Sequence, residues 1–191
     1  MLPGLTIYFL YFFFYIDTME RIRVAFVGAP KVGKSAVIHQ FLSHTFLEDY
    51  DPTIEDFFQA QRNGVVLEIV DLSGSLLRPE SKFRQEALAF CHVVVFMFCM
   101  NDGESLSLIN SYKKEDKRNL PLVLVGNKMD NKWRVCPHEL RNVEYELETT
   151  YFPVSAKLPV NIDQLFDTII ERGKSTAEPE EEIVSKCCWI L

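Results

Sequence analysis

Residues Ile22-Arg23-Val24-Ala25-Phe26-Val27-Gly28-Ala29-Pro30-Lys31-Val32-Gly33-Lys34-Ser35-Ala36-Val37-Ile38-His39-Gln40-Phe41-Leu42 decide the fold. Their centre, Gly28 to Ser35, matches the phosphate-binding pattern G-x-x-x-x-G-K-[ST]. Positions 22–27 read as a buried strand and 36–42 as an amphipathic helix. A strand–loop–helix of this form turns successive backbone N–H groups into one concavity, and the helix N-terminus adds partial positive charge. Gly28 and Gly33 let the loop close on an anion. Lys34 is spaced to reach the β- and γ-phosphates of a nucleotide, and the Ser35 hydroxyl to ligate Mg²⁺.

Outward from this stretch the chain alternates. Strands are predicted at 57–61, 65–70, 93–100, 122–126 and 151–154, and helices at 35–43, 82–90, 103–114, 138–147 and 162–173. The runs Val93-Val94-Val95-Phe96-Met97-Phe98 and Leu122-Val123-Leu124-Val125 are apolar throughout, as strands covered on both faces are. Asn63-Gly64 between two strand segments marks a hairpin. Ile162, Leu165, Phe166, Ile169 and Ile170 share one helical face, with Asn161 placed as its N-cap. The expected fold is α/β: a three-layer P-loop NTPase fold, with a mostly parallel six-stranded sheet and one antiparallel edge strand.

The chain has 191 residues, 48% of them hydrophobic, enough for one self-sufficient core. Its net charge of -7 argues against a nucleic-acid binder. Five cysteines without a paired framework fit a reducing compartment. Cys91, Cys99 and Cys136 read as packing residues.

Four further motifs follow in order: Tyr50-Asp51-Pro52-Thr53-Ile54-Glu55-Asp56 in a polar loop, Asp71-Leu72-Ser73-Gly74, Asn127-Lys128-Met129-Asp130, and Ser155-Ala156-Lys157. They fall at carboxyl ends of strands or in the loop beside the first helix, where open α/β sheets bind ligands.

With these motifs the chain resembles the small Ras-like GTPases over about residues 20–175. The resemblance implies binding of GTP and GDP with Mg²⁺, and a nucleotide-binding set of Gly28, Lys31, Val32, Gly33, Lys34, Ser35, Ala36, Phe46, Thr53, Gly74, Asn127, Lys128, Asp130, Ser155, Ala156 and Lys157. Asp130 would pair with the guanine N1–H and amino group, Asn127 would fix the loop, the Lys128 stem would stack on the base, and the Ala156 N–H would donate to guanine O6. Phe46 would pack on the other side of the base, unless it is an ordinary core residue. Ser35 and Thr53 would ligate Mg²⁺, with Asp71 acting through metal-bound water. Lys34, Thr53 and Gly74 would contact the γ-phosphate and form the catalytic set. Loss of that phosphate would relax the two loops that Thr53 and Gly74 anchor. Tyr50 to Asp56 resembles the effector loop of Ras and Rap proteins, so effectors, an exchange factor and a GTPase-activating protein are the implied partners of an expected monomer.

Several positions depart from the family pattern. Ser75 stands where the family usually has a glutamine that orients the attacking water, as it does in Di-Ras proteins; unaided hydrolysis is therefore expected to be slow. Pro30 replaces a glycine, lacks an N–H, and crowds the approach of an arginine finger. The span from Thr53 to Asp71 is about four residues short, consistent with a clipped hairpin. Leu76 and Leu77 give the second switch an unusually apolar start. A GTP-loaded scaffold with negligible turnover is the alternative reading.

The chain ends Cys188-Trp189-Ile190-Leu191, a C-a-a-X pattern with Leu favouring geranylgeranylation of Cys188. The expected location is the cytoplasmic face of a membrane, the plasma membrane in the first instance. One prenyl chain anchors weakly. Cys187 is either a palmitoylation site or a neighbour without a role, and 175–191 reads as a disordered linker ending in the lipid motif. Residues 5–16 are almost wholly apolar and aromatic, too short to span a bilayer. They lack the basic start and cleavage site of a signal peptide. Residues 1–18 are expected to be a gene-model artefact, with translation starting at Met19 and the nucleotide-binding domain covering 19–174; the rival reading is a membrane-interface segment.

Overall fold

The computed structural model describes residues 19–46, 55–72, 74, 82–113 and 119–176. Outside them lie the segment 1–18, the loop residues Tyr50 to Ile54 with Thr53, Ser73, Ser75 and the residues through 81, and the tail with Cys187 and Cys188.

The apolar runs form the strands: β1 (Arg21–Gly28), β2 (Glu55–Arg62), β3 (Val65–Leu72), β4 (Val93–Cys99), β5 (Leu122–Asn127) and β6 (Tyr151–Pro153). They make one six-stranded sheet in the order β2-β3-β1-β4-β5-β6. β2 runs antiparallel to β3, and every other pairing is parallel. Every residue of β4 and β5 is buried, which is why their sequences do not alternate.

Helices cover both faces. α1 (Lys34–Ser43) and α6 (Ile162–Lys174) pack on one, where Val37, Ile38, Leu165, Phe166 and Ile169 meet Val24, Phe26, Leu67 and Val95. α2 (Lys82–Phe90), α3 (Gly103–Ser107), α4 (Ile109–Lys113) and α5 (Pro137–Glu146) lie on the other, where Leu88, Leu106, Ile109, Leu140 and Val143 meet Ala25, Val27, Phe96 and Leu124. This is the three-layer P-loop NTPase fold with one antiparallel edge strand, as expected. The chain changes direction across the sheet between β1 and β4, so the carboxyl end of β1 opens at the switch point where such sheets hold ligands.

Four local expectations need correction. The helix predicted over 103–114 breaks at Leu108 into α3 and α4. The Ser105 and Ser107 hydroxyls donate to the carbonyls of Asp102 and Glu104, at 2.6 and 2.7 Å, and such bonds compete with the helical ladder. Asn161 occupies the N-cap position of α6 in a left-handed conformation, φ 60°, but its side chain does not cap the helix. Its Nδ2 donates instead to the Pro153 carbonyl at 2.9 Å. Cys136 is exposed, not packed; it precedes Pro137 at the start of α5. Glu55 and Asp56, read as loop, open β2, with Asp56 opposite Asp71.

Asn63 and Gly64 have φ of 52° and 76°, the positive pair of a tight two-residue hairpin turn. The turn is held against α6. Arg62 Nε and NH2 reach the two carboxylate oxygens of Asp167 at 2.6 and 2.9 Å, and NH1 reaches Asp163 at 2.7 Å. Beneath the guanidinium lies the Phe41 ring, itself stacked on Phe166 at 3.6 Å between centroids. Arg62 holds the Asp167 carboxyl below its ordinary value. The contribution of that pair is therefore present above the ordinary carboxylate range and lost as pH falls through Asp167's depressed pKa. The carboxylates are half exposed, so solvent screens them; Arg62→Ala is expected to cost about 1–2 kcal/mol. Thermal unfolding followed across acid pH should show a lower melting temperature and a reduced acid-side slope for the variant.

Candidate nucleotide-binding site

The site is built from four strand ends. After β1 the chain passes Lys31 and Gly33 at φ 63° and 94° and enters α1. Gly33 occupies the N-cap position and has no side chain to cap α1, and the first turn holds no acidic residue, so the helix N-terminus is suited to an anion. A Cβ on Gly33 would collide with Asn127 Nδ2. Lys34 is buried, and its Nζ donates to the carbonyls of Gly28 and Ala29 at 3.0 and 3.2 Å. The ammonium is thus held across the base of the loop.

One residue on, Ser35 Oγ donates to Asp71 Oδ2 at 2.5 Å. Asp71 is fully buried at the end of β3, and its Oδ1 has no hydrogen-bond partner among the described residues. Burial pushes its carboxyl above the ordinary value, against the Ser35 hydrogen bond and the Lys34 charge, which pull it down. An unpartnered oxygen on a buried carboxylate is costly by itself. A hard divalent cation satisfies such an oxygen, and hydroxyl and carboxylate oxygens are the donors Mg²⁺ takes. The residues present therefore fit the metal.

Gly74 lies against the Ala29–Pro30 peptide, so closely that a Cβ there would overlap Pro30 N. The start of the second switch thus abuts the phosphate loop at the position where this chain carries proline, and Pro30 itself is exposed.

The base-side loops are tied to the phosphate loop. Asn127 is buried; its Nδ2 donates to the Val32 carbonyl at 2.8 Å, and its Oδ1 accepts the Ala156 N–H at 3.3 Å. Lys128 Nζ donates to the Lys31 carbonyl at 2.7 Å. Ser155, fully buried, donates its hydroxyl to Asp130 Oδ1 at 2.6 Å and accepts the Leu158 N–H at 3.0 Å. The Asp130 carboxylate is itself exposed. Lys157 is exposed beside Ala156, and Ala36 lies in the first turn of α1. Phe46 is 38% exposed, which removes the reading of it as an ordinary core residue.

The structure therefore brings together the predicted residues from the loops after β1, β3, β5 and β6. Thr53 and the effector-type residues Tyr50, Asp51, Pro52 and Ile54 lie outside the described residues. One feature was not anticipated. Ser155 fixes one oxygen of Asp130, which orients the other, and motif reading gave Ser155 no such part.

A phosphate loop at the sheet's switch point, a serine bonded to a buried aspartate and an Asn–Lys–x–Asp loop locked to it define a P-loop GTPase. The family model for the Ras family matches residues 23–175. Ras-like protein 2 of Drosophila melanogaster is 33% identical over 163 residues, covering 80% of this chain and 84% of that protein. The chain belongs to the Ras family: it is a small GTPase, a GTP-binding switch that hydrolyses GTP to GDP. Members of this family generally use Mg²⁺ with the nucleotide and work with regulators and effectors.

Proposed function

We propose that this protein is a membrane-tethered Ras-type switch whose unaided GTP hydrolysis is slow. The observation that carries the nucleotide reading is the buried Asp71 carboxylate, one oxygen on Ser35 and the other unpartnered among the described residues, beside the buried Lys34. Ser35 and Thr53 would hold Mg²⁺ directly and Asp71 through water; the metal supplies charge neutralisation for the phosphates. Lys34 binds the β- and γ-phosphates, exchanging its carbonyl partners for phosphate oxygens. Gly28, Lys31, Val32, Gly33 and Ala36 shape the phosphate cradle. Thr53 and Gly74 donate backbone N–H groups to the γ-phosphate, so its loss frees both segments. Asp130 reads guanine, Lys128 and Phe46 flank the base, Ala156 donates to O6, and Ser155 and Lys157 complete the loop. Residues 50–56 are the surface that effectors read in the GTP state. Prenylated Cys188 holds the monomer on the cytoplasmic face of the plasma membrane.

Slow hydrolysis follows from Ser75, too short to orient the attacking water. Single-turnover hydrolysis with Mg²⁺ should rise at least about tenfold in Ser75→Gln and change little in Ser75→Ala. Wild-type turnover as fast as a glutamine-bearing relative, unaltered by Ser75→Ala, would overturn the slow-switch reading. Pro30 against Gly74 favours a second reading, a GTP-loaded scaffold. The nucleotide carried by the purified protein separates the two: mostly GDP supports the switch, mostly GTP the scaffold.

A further inference from the structure

A basic and apolar rim surrounds the loops assigned to the base, with the exposed Asp130 carboxylate among its residues. On one side the chain turns through Lys132, Trp133 and Arg134, and the Trp133 Nε1–H donates to the carbonyl of Met129, the residue before Asp130, at 3.3 Å. On the other, Ser155 donates to Asp130 and accepts the Leu158 N–H, so Lys157 and Leu158 lie within two hydrogen bonds of the same carboxylate. Lys31 joins them, since its carbonyl accepts from Lys128 Nζ.

Two properties set this rim apart. Lys31, Lys132, Arg134 and Lys157 are all exposed, and none forms an ion pair with a described residue. In a chain of net charge -7 acidic partners are plentiful, and Arg21, Arg62 and Lys174 each hold one. Among the free cations stand two large apolar side chains, Trp133 at 51% exposure and Leu158 at 58%. Unpaired charge steers an oppositely charged partner, and an open tryptophan beside an arginine is the kind of anchor on which interfaces depend.

The occupant that fits is an acidic protein segment with apolar residues beside its carboxylates. A nucleic acid needs no leucine to rest on and meets repulsion from the rest of an acidic chain. Lipid is poorly placed, because α6 ends at the opposite edge of the sheet, where the Thr176 hydroxyl donates to the His92 carbonyl at 2.7 Å. That edge lies about 25 Å along β1 from the nucleotide loops, and the chain to Cys188 continues from it.

We propose that Lys31, Lys132, Trp133, Arg134, Lys157 and Leu158 form a docking site for an acidic segment of a partner protein. None of the six lies in residues 50–56 or at Gly74, so the segment binds the GDP and GTP forms alike and leaves the effector surface open. In one respect the proposal rests on the guanine reading. Empty, the Asp130 carboxylate repels the segment; guanine covers it and occupies it with two donors. The segment therefore favours the loaded protein, and by reciprocity it tightens guanine nucleotide binding by the same factor.

The test uses the full chain. Its second tryptophan is Trp189, so Trp189→Phe leaves Trp133 as the reporter of its own burial. The probe is a synthetic peptide of glutamates flanking a Leu-Phe pair. It should shift Trp133 emission to the blue with equal affinity for protein loaded with GDP or with a GTP analogue. Binding should weaken at least about tenfold between about 0.05 and about 0.5 M salt. Lys132→Glu with Arg134→Glu should also lower it at least about tenfold while GDP loading is kept, and Leu158→Ser should lower it by roughly fivefold. No emission shift, equal binding of an all-glutamate peptide, or a tenfold preference for one nucleotide form would each overturn the proposal. So would a stronger response to phosphatidylserine vesicles or to a single-stranded oligonucleotide than to the peptide. Equal peptide affinity for loaded and empty protein would overturn the coupling through Asp130. A chain that takes up no guanine nucleotide yet shifts its emission with the peptide would overturn the guanine reading and support the docking site.

Discussion

Asp130→Asn is expected to shift the ratio of guanine to xanthine nucleotide affinity by on the order of 10⁴-fold, lowering the first and raising the second. Two acceptor oxygens suit the adjacent N1–H and amino donors of guanine. An amide offers one acceptor and one donor, which suits the N1–H and carbonyl of xanthine. The Ser155 hydroxyl, which donates to Asp130 Oδ1 at 2.6 Å, donates equally well to an amide oxygen, so the loop is kept and only the reading edge changes. Competition binding with GDP and XDP measures the effect, and the melting temperature should stay within a degree or two. A variant that still preferred guanine would show that Asp130 does not read the base.

Asp71→Asn is expected to move affinity and stability in opposite directions. The carboxylate is buried, with Oδ1 unpartnered among the described residues, and burial raises its pKa. A group whose folded pKa is raised contributes stability below its unfolded pKa that is lost as pH rises through the folded one. The wild-type apo protein should therefore lose stability across that window, above the ordinary carboxylate range, and the asparagine variant should not. Removing the buried charge stabilises the apo fold above that window by about 1 kcal/mol, or roughly 2–4 °C. The same change removes a negative charge from the metal site, so the Mg²⁺-dependent part of nucleotide affinity should fall by on the order of 10²–10³-fold. Affinity in EDTA should change far less. Equal losses with and without Mg²⁺ would separate Asp71 from the metal.

Legibility in the sequence tracked how local each determinant is. The phosphate loop was readable because strand, glycines, Lys34 and helix are contiguous, and the strand at 21–28 and helix at 34–43 formed around it. β4 and β5 were readable because burial on both faces leaves an uninterrupted apolar run. The hairpin was readable from Asn63-Gly64 alone. The break at Leu108 was not, since Ser105 and Ser107 are acceptable helix residues until their hydroxyls find carbonyls at short range. Asn161 misled for a related reason: a cap-type side chain was drawn away by Pro153, eight positions earlier. In the site, motif spacing named the residues but not the bonds joining them. The ties from Asn127 to Val32, Lys128 to Lys31 and Ser155 to Asp130 cross between loops far apart in the chain.

The tight turn at Asn63 and Gly64 also constrains how this hairpin can change length. With Phe57 opposite Val70 and Phe58 opposite Ile69, side chains on β2 alternate between the covered face and the open one, Phe58 half-buried and Phe57 59% exposed. Adding or deleting a single residue before the turn would swap every one of them, carrying Arg62 away from Asp163 and Asp167. Trimming by pairs leaves the alternation intact. A change in length that keeps Phe58 covered and Arg62 on α6 must therefore act on both strands together.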